Sequence, residues 1–343
     1  MDHIHSTHRE PSARPAPRHG AAQLRALFDA PGTVRIAGAH NPLGARLAER
    51  AGFDGIWSSG LEISASQGLP DADILTMTEL LGVAGSMASA VGVPVVADCD
   101  TGYGNANNVM HMVRRYEAAG IAAVTIEDKR FPKVNSFIPG RQELASVPEF
   151  CGRIEAAKDA QRDPDFMVIA RIEALIAGWD LDEALRRGEA YAAAGADAVL
   201  IHAKSGSPQP VLDFLQQWHL PQPVVVVPTT YHTISAAELG AAGAKMVVYA
   251  NHGLRAGIQA VSQTFETILK DGRTTAIEDR IAPLTTVFDL QGMDEFQENE
   301  KRFVRGGTAE APPAPAPERA GERAHEPAEH ARPVPALTGG DAP

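Results

Sequence analysis

The chain has 343 residues, a formal net charge of −12 and 44% apolar residues, enough to build one sizeable core. That acidic balance contains no basic block, which argues against nucleic acid or an anionic membrane surface as the main partner and leaves an anionic substrate open only if a metal or local cations reverse the field. Two cysteines, Cys99 and Cys151, and no apolar run of membrane-spanning length exclude a disulfide framework and a transmembrane helix, so a reducing cytoplasm is the expected location.

Residues 1–20, rich in His, Arg and Pro, are expected to be disordered. Residues 21–305 are expected to form a single domain. Eight short, β-branched apolar runs recur in it: residues 34–40, 54–59, 94–100, 122–128, 166–174, 197–203, 223–229 and 245–251. Each run is continuously apolar, as parallel strands covered on both faces require, and each is separated from the next by enough chain for a helix. Phrases such as ERAGFDGI, EAAGIAAV, AAAGADAV and GAAGAKMV place a helix-stopping glycine just before the following strand. The pattern predicts an α/β fold, a (β/α)8 TIM-type barrel with C-terminal helices. An open doubly wound sheet would call for a Gly-x-Gly-x-x-Gly turn after the first strand, and none follows residue 40. Residues 306–343 hold 8 Pro, 10 Ala and no aromatic residue; that tail is expected to be disordered.

Barrel chemistry sits at the carboxyl ends of the strands. There the chain carries Asp98, Asp100 and Glu127, three hard oxygen ligands suited to magnesium or manganese. The competing reading is that they cap helices or pair with Lys129 and Arg171. Arg171 ends an otherwise apolar strand, where a guanidinium either grips a substrate carboxylate or forms an internal salt bridge with Glu173 or Glu127. His202 fits a site residue and a satisfied supporting histidine equally well. Cys99 alternates to the opposite face and reads as packing. In the loop after the second strand, Asp71 and Asp73 lie in a Pro-Asp-Ala-Asp turn, with Asp73 expected to cap the LTMTELL helix. The loop after the fourth strand, DKRFPKVNSFIPGRQEL, is too polar and Pro-rich to be helical before about Val147. Its Lys129, Arg130, Lys133 and Arg141 make it a candidate cationic lid.

The ordered segments AHNPLGARLAERAGFDGIWSSGLEISAS, DCDTGYGN, EDKRFPKVNS, ARIEALIAGW, GADAVLIHAKS and YANHGLRA resemble the phosphoenolpyruvate mutase and isocitrate lyase superfamily, closest to its phosphoenolpyruvate mutase branch, from about Ala39 to Leu290. The resemblance implies Mg2+ bound directly by Asp98, with Asp100 and Glu127 holding its waters. It implies a pyruvyl pocket of Trp57, Ser59, Gly60 and Leu61, with Arg171 gripping the substrate and His202 supporting the phosphoryl side. Asp71, Lys133, Asn135 and Ser136 would complete the site when the lid closes, Asp71 either accepting the phosphoryl group or guarding a metaphosphate-like species. Lyases of this superfamily carry a cysteine in a Lys-Lys-Cys-Gly-His segment, whereas this chain reads Pro132-Lys133-Val134-Asn135-Ser136. Phosphonopyruvate hydrolases resemble the chain as well, but have Thr where Asn135 stands. The implied activity is interconversion of phosphoenolpyruvate and phosphonopyruvate, ahead of an enzyme that consumes phosphonopyruvate. A non-catalytic barrel binding an anionic metabolite is the alternative of another class. The implied assembly is a homotetramer, a dimer of dimers that exchange a C-terminal helix. No nucleic-acid or membrane partner is implied.

Overall fold

The computed structural model describes residues 20–304; the segments expected to be disordered, 1–20 and 306–343, lie outside these apart from Gly20. The order of elements begins α1 (Gly20–Asp29), β1 (Val34–Ala39), α2 (Pro42–Arg50), β2 (Gly55–Ser58), α3 (Gly60–Ser66), α4 (Met77–Ala90) and β3 (Val95–Asp98). It continues with α5 (Ala106–Ala118), β4 (Ala123–Glu127), α6 (Val147–Ala160), β5 (Met167–Ile172), α7 (Ala174–Ala177) and α8 (Leu181–Ala193). Then come β6 (Ala198–Ile201), α9 (Gln209–Gln217), β7 (Val224–Val226), α10 (Ala236–Ala241), β8 (Ala244–Tyr249), α11 (His252–Asp271) and α12 (Leu284–Gln291). The eight strands pair in sequence order, all parallel, and β8 closes on β1. The chain is a (β/α)8 barrel. Every strand falls inside its expected run or overlaps it within one residue.

The described residues divide into a unit that ends at Gln291 and a second that begins at Gly292. The second contains α13 (Met293–Phe303), acidic in its first turn and basic in its last, the order the helix dipole favours.

Strand side chains alternate between two cores, because successive residues point to opposite faces. Ile36, Trp57, Val96, Ala123, Met167, Ile169, Leu200, Val225 and Met246 fill the barrel interior. Ile56, Val95, Val124, Val168, Val199 and Val247 pack outward into the shell of helices. Continuing the interior phase to the carboxyl ends lands on Asp98 after Val96, on Glu127 after Ala123 and Thr125, on Arg171 after Ile169, and on His202 after Leu200. The outward phase lands on Cys99, which is fully buried in the outer core, as its packing role requires. The same two-residue period that builds the core therefore aims these four polar side chains into the mouth of the barrel.

Two stretches differ from expectation. The chain after β2 is not an open loop: Ser59 caps α3 by accepting from the Glu62 N–H, so a helix begins at once beside the barrel axis. Asp73 does not cap the next helix. Thr76 does, in a capping box with Glu79, where a hydroxyl three residues before a glutamate satisfies two end groups at once.

Candidate active site

The interior row of the strands supplies one wall. Glu127 stands opposite Arg171 in the β4–β5 register, and the Arg171 Nε lies 3.3 Å from Glu127 Oε2 and 2.6 Å from Glu173 Oε1, with Nη1 3.9 Å from Asp98 Oδ2. Arg171 makes the internal ion pairs and also lines the central cavity. Among these acids its pKa is raised; burial opposes the charge, but Glu173, Glu127 and Asp98 outweigh it.

Asp100 reaches the site differently from its expected position on a strand. β3 ends at Asp98; Asp100 lies beyond it in left-handed backbone with φ 49, followed by Gly102, Tyr103 and Gly104, also at positive φ. Aspartate and glycine tolerate that region. The turn keeps the edge of β4 paired, since the Asp100 carbonyl accepts from the Glu127 N–H at 2.7 Å.

The second wall comes from the chain between β4 and α6. Lys133 is buried, its Nζ 2.6 Å from Asp71 Oδ1 and 2.9 Å from Asp100 Oδ1. Asn135 Nδ2 donates to the other Asp71 oxygen at 2.6 Å. The Lys133 N–H donates to Asp73 Oδ2 at 2.5 Å, so the acid expected to cap a helix instead ties this loop to the one after β2. Burial and the nearby Asp100 push the Asp73 pKa up to about 7. Asp71 is more deeply buried than Asp73, yet Lys133 and Asn135 reverse the effect of burial and hold it below the usual carboxylate range. Lys133 in turn is raised well above its ordinary value despite burial, chiefly by Asp100 and Asp71.

Of the four cations expected on a lid, Lys133 alone points into the site. Lys129 is buried, donating to the Val134 carbonyl and Ser136 Oγ and lying 3.3 Å from Glu173; it holds the loop from beneath. Arg130 and Arg141 are exposed, near Glu143 and the Pro132 carbonyl respectively.

A cavity of about 40 Å3 lies between the walls, lined by Trp57, Ser59, Leu61, Asp71, Asp98, Lys133, Asn135, Ser136, Arg171 and His202. Ten of the thirteen residues that the family resemblance assigns to the site meet there; Gly60, Asp100 and Glu127 are not among the lining residues. Phe137, Val227, Thr229, Ala250 and Asn251 also line it and had been given no role. Thr229 and Asn251 stand at strand ends and were legible as position, but not as function. Phe137 packs edge-on against the His202 ring at 5.6 Å, a contact that only the folded loop creates.

Among the described residues, no three His, Cys, Asp or Glu side chains are already arranged as a metal cage. The donors nevertheless fit a hard cation. Glu127 Oε1 is buried without a hydrogen-bond partner. Asp98, buried beside Asp100, has its pKa pushed up to about 7, and Asp100 is raised by burial as well; such crowding is what a divalent ion relieves. Gly60 lies against both acids, since a Cβ there would stand in ordinary contact with Asp100 at 3.4 Å and Asp98 at 3.6 Å.

Asp128 follows Glu127 but points outward. It accepts from Tyr191 Oη at 2.6 Å, Arg187 Nη1 at 3.1 Å and the Glu173 N–H at 2.8 Å. It therefore anchors the ends of β4 and β5 to α8. Asp128→Ala is expected to destabilise the fold by roughly 3 kcal/mol, because it strands buried donors, which chemical denaturation would measure.

A closed parallel barrel whose strand ends gather buried acids and cations around a small cavity is the architecture of an enzyme acting on a small, charged molecule. The chain belongs to the phosphoenolpyruvate phosphomutase family, whose model matches residues 24–269. It is 99% identical to a phosphoenolpyruvate phosphomutase of known crystal structure from Streptomyces platensis subsp. rosaceus, covering 84% of this chain and 100% of that one, with a TM-score of 0.83. It is 44% identical over 289 residues to the phosphoenolpyruvate phosphomutase of Streptomyces hygroscopicus, covering 84% of this chain and 92% of that protein. It is also 44% identical to a phosphonopyruvate hydrolase solved with oxalate and Mg++, with a TM-score of 0.80 and coverage of 83% and 99%.

Proposed function

We propose that this protein is a phosphoenolpyruvate mutase, an isomerase that moves a phosphoryl group between the enol oxygen of phosphoenolpyruvate and C3 of phosphonopyruvate. Identity near 44% is shared by mutase and hydrolase relatives, so it does not divide them. The observation that carries the choice is Asn135, whose amide joins the loop to Asp71 beside Lys133; the 99% identity to a mutase supports it. Val134 stands where the superfamily's lyases have cysteine, which argues against carbon–carbon cleavage.

Phosphoryl transfer asks the protein mainly for position and charge. In this reading Trp57, Ser59, Gly60 and Leu61 hold the pyruvyl unit at the start of α3, and Arg171 grips the substrate, with His202 supporting the phosphoryl side. Asp98, Asp100 and Glu127 would hold Mg2+ directly or through water, and the ion would supply positive charge where the enolate develops. Lys133, Asn135 and Ser136 cover the phosphoryl group and exclude water. Asp71 has one oxygen engaged by Lys133 and the other by Asn135 and is held anionic. That favours a part in orienting those two residues and repelling water over a part as phosphoryl acceptor. The test is phosphorus NMR on protein, phosphonopyruvate and Mg2+: phosphoenolpyruvate as the main product supports the mutase, and phosphate as the main product replaces it with the hydrolase. Because making the carbon–phosphorus bond is expected to run uphill from phosphoenolpyruvate, an enzyme that consumes phosphonopyruvate is implied as its functional partner.

The proposed assembly is a homotetramer, a dimer of dimers that exchange a C-terminal helix, and α11 is the candidate for that helix. None of the twenty residues of α11 is buried, and Ile258, Val261, Phe265 and Leu269 form an exposed apolar stripe on it. A groove of about 400 Å3, walled by Leu43, Leu47, Phe53 and Tyr249, opens beside α2 and suits such a helix. No described helix is long and apolar enough to cross a membrane, and the proposed location is the cytoplasm. The family match stops at residue 269, and residues 306–343 are proposed to lie outside the catalytic domain. A chain truncated after Arg305 should therefore keep full turnover and still elute as an oligomer. A large loss of activity, or a clean monomer on sizing, would oppose these two readings respectively.

A further inference from the structure

Glu173 is a buried acid of the mouth that has no part in the reading above. It follows Arg171 by two residues and so continues the interior row of β5. Its place is fixed, since its N–H donates to Asp128. It occupies the cap position of α7 yet makes no capping bond, because its side chain is fully buried and turned into the site. Oε1 accepts from Arg171 Nε at 2.6 Å and lies 2.7 Å from His202 Nδ1. Oε2 accepts from Ser136 Oγ at 2.6 Å, with Lys129 Nζ at 3.3 Å. Three of these contacts are hydrogen bonds and the fourth is an ion pair, so both oxygens are engaged. Its two oxygens also divide by origin: one serves the barrel strands, the other the loop after β4.

We propose that Glu173 is a positioning residue that latches the β4–α6 loop to the gripping pair Arg171 and His202, so that seating Ser136 and aiming the guanidinium are one event. What the pair grips rests on the mutase reading; the latch itself does not. Burial opposes the charge of Glu173, but Arg171, His202 and Lys129 outweigh it and hold the acid well below its ordinary range. It is therefore an acceptor only, and its contact with His202 requires the proton to be on Nδ1. Arg171 Nη2, 2.9 Å from the same nitrogen, then finds no lone pair there, and its nearest hydroxyl is Ser136 Oγ at 3.3 Å. Burial lowers the His202 pKa, which keeps the ring neutral with Nε2 bare. A tautomer fixed through the partner of its other nitrogen is the usual way a carboxylate orients an imidazole.

The test uses the full chain with Mg2+ and phosphonopyruvate, comparing wild type, Glu173→Gln, Ser136→Ala and the double variant. Glutamine keeps the shape but turns one acceptor end into a donor, so one side of the latch must open. The expected result is a fall in kcat of about 100-fold, the scale on which misplacing a group by about 1 Å acts, with a much smaller change in KM. The double variant should be no slower than Glu173→Gln, since both changes break one link. Nitrogen-15 NMR of the wild type, with His202 assigned by His202→Asn, should show Nδ1 protonated and Nε2 bare. Wild-type kcat in Glu173→Gln, additive losses in the double variant, or a proton on Nε2 with Nδ1 bare would each overturn the latch. If Glu173→Gln fails to fold, the wild-type spectrum decides by itself. A wild type that turns over nothing would sink the mutase reading, whereas the spectrum tests the latch in either case.

Discussion

Asp98→Ala is expected to remove turnover by about 1000-fold or more while the fold survives. If Asp98 binds the divalent ion as proposed, losing its carboxylate forfeits several kcal/mol of charge stabilisation, and about 4 kcal/mol corresponds to that factor. The fold should not suffer, because Asp98 supports little else. Arg171 is 3.9 Å away and has better partners in Glu173 and Glu127. Its pKa is pushed up to about 7 by burial and then by Asp100, so its removal relieves the acid cluster. An unchanged or slightly raised melting temperature alongside the lost activity is the expected pair of results. Excess EDTA on wild-type protein should have the same effect on turnover, and full activity in EDTA would remove the metal from the reading altogether.

The barrel was legible because its signal is local and repeated. Val95-Val96-Ala97 or Met167-Val168-Ile169-Ala170 are buried on both faces, and no other element of their length needs to be so apolar throughout. The site was legible where it inherits that regularity: Asp98, Glu127, Arg171 and His202 extend the interior phase of their own strands. Asp100 was found for the wrong reason, since its place depends on a left-handed turn and not on strand alternation. Asp73 and Lys129 were misread because their partners are set by how two loops meet. Asp73 binds a backbone N–H sixty residues away, and Lys129 turns under its own loop to reach Ser136. Spacing carries no information about either. Glu173 was visible only as a possible ion-pair partner; that one carboxylate gathers donors from β5, from the end of β6 and from a loop became evident only once those segments were folded together.

Asn135→Thr is expected to change the fate of the phosphoryl group, from phosphoenolpyruvate as main product toward pyruvate and inorganic phosphate. A mutase must keep water from the reactive phosphorus while the enolate presents its carbon, so the covering loop has to fit closely. Asn135 does two jobs at once. Its Nδ2 donates to Asp71 Oδ2 at 2.6 Å, and its Oδ1 accepts from the Phe137 N–H at 3.0 Å, so the amide both ties the loop to Asp71 and shapes the turn that presses Phe137 against His202. Threonine has one hydroxyl and a shorter reach, and serves one of these partners at most. Losing a hydrogen bond to a charged group costs about 1.5–3 kcal/mol, which predicts a drop of about 10- to 100-fold in the mutase reaction. The loosened loop admits water where Asn135 had excluded it. Phosphorus NMR separates the outcomes in one spectrum, because phosphonopyruvate, phosphoenolpyruvate and phosphate resolve from one another. An Asn135→Thr protein that is slower but still yields only phosphoenolpyruvate would show that water is excluded by something other than this residue, and the distinction between mutase and hydrolase would have to be sought elsewhere in the cavity wall.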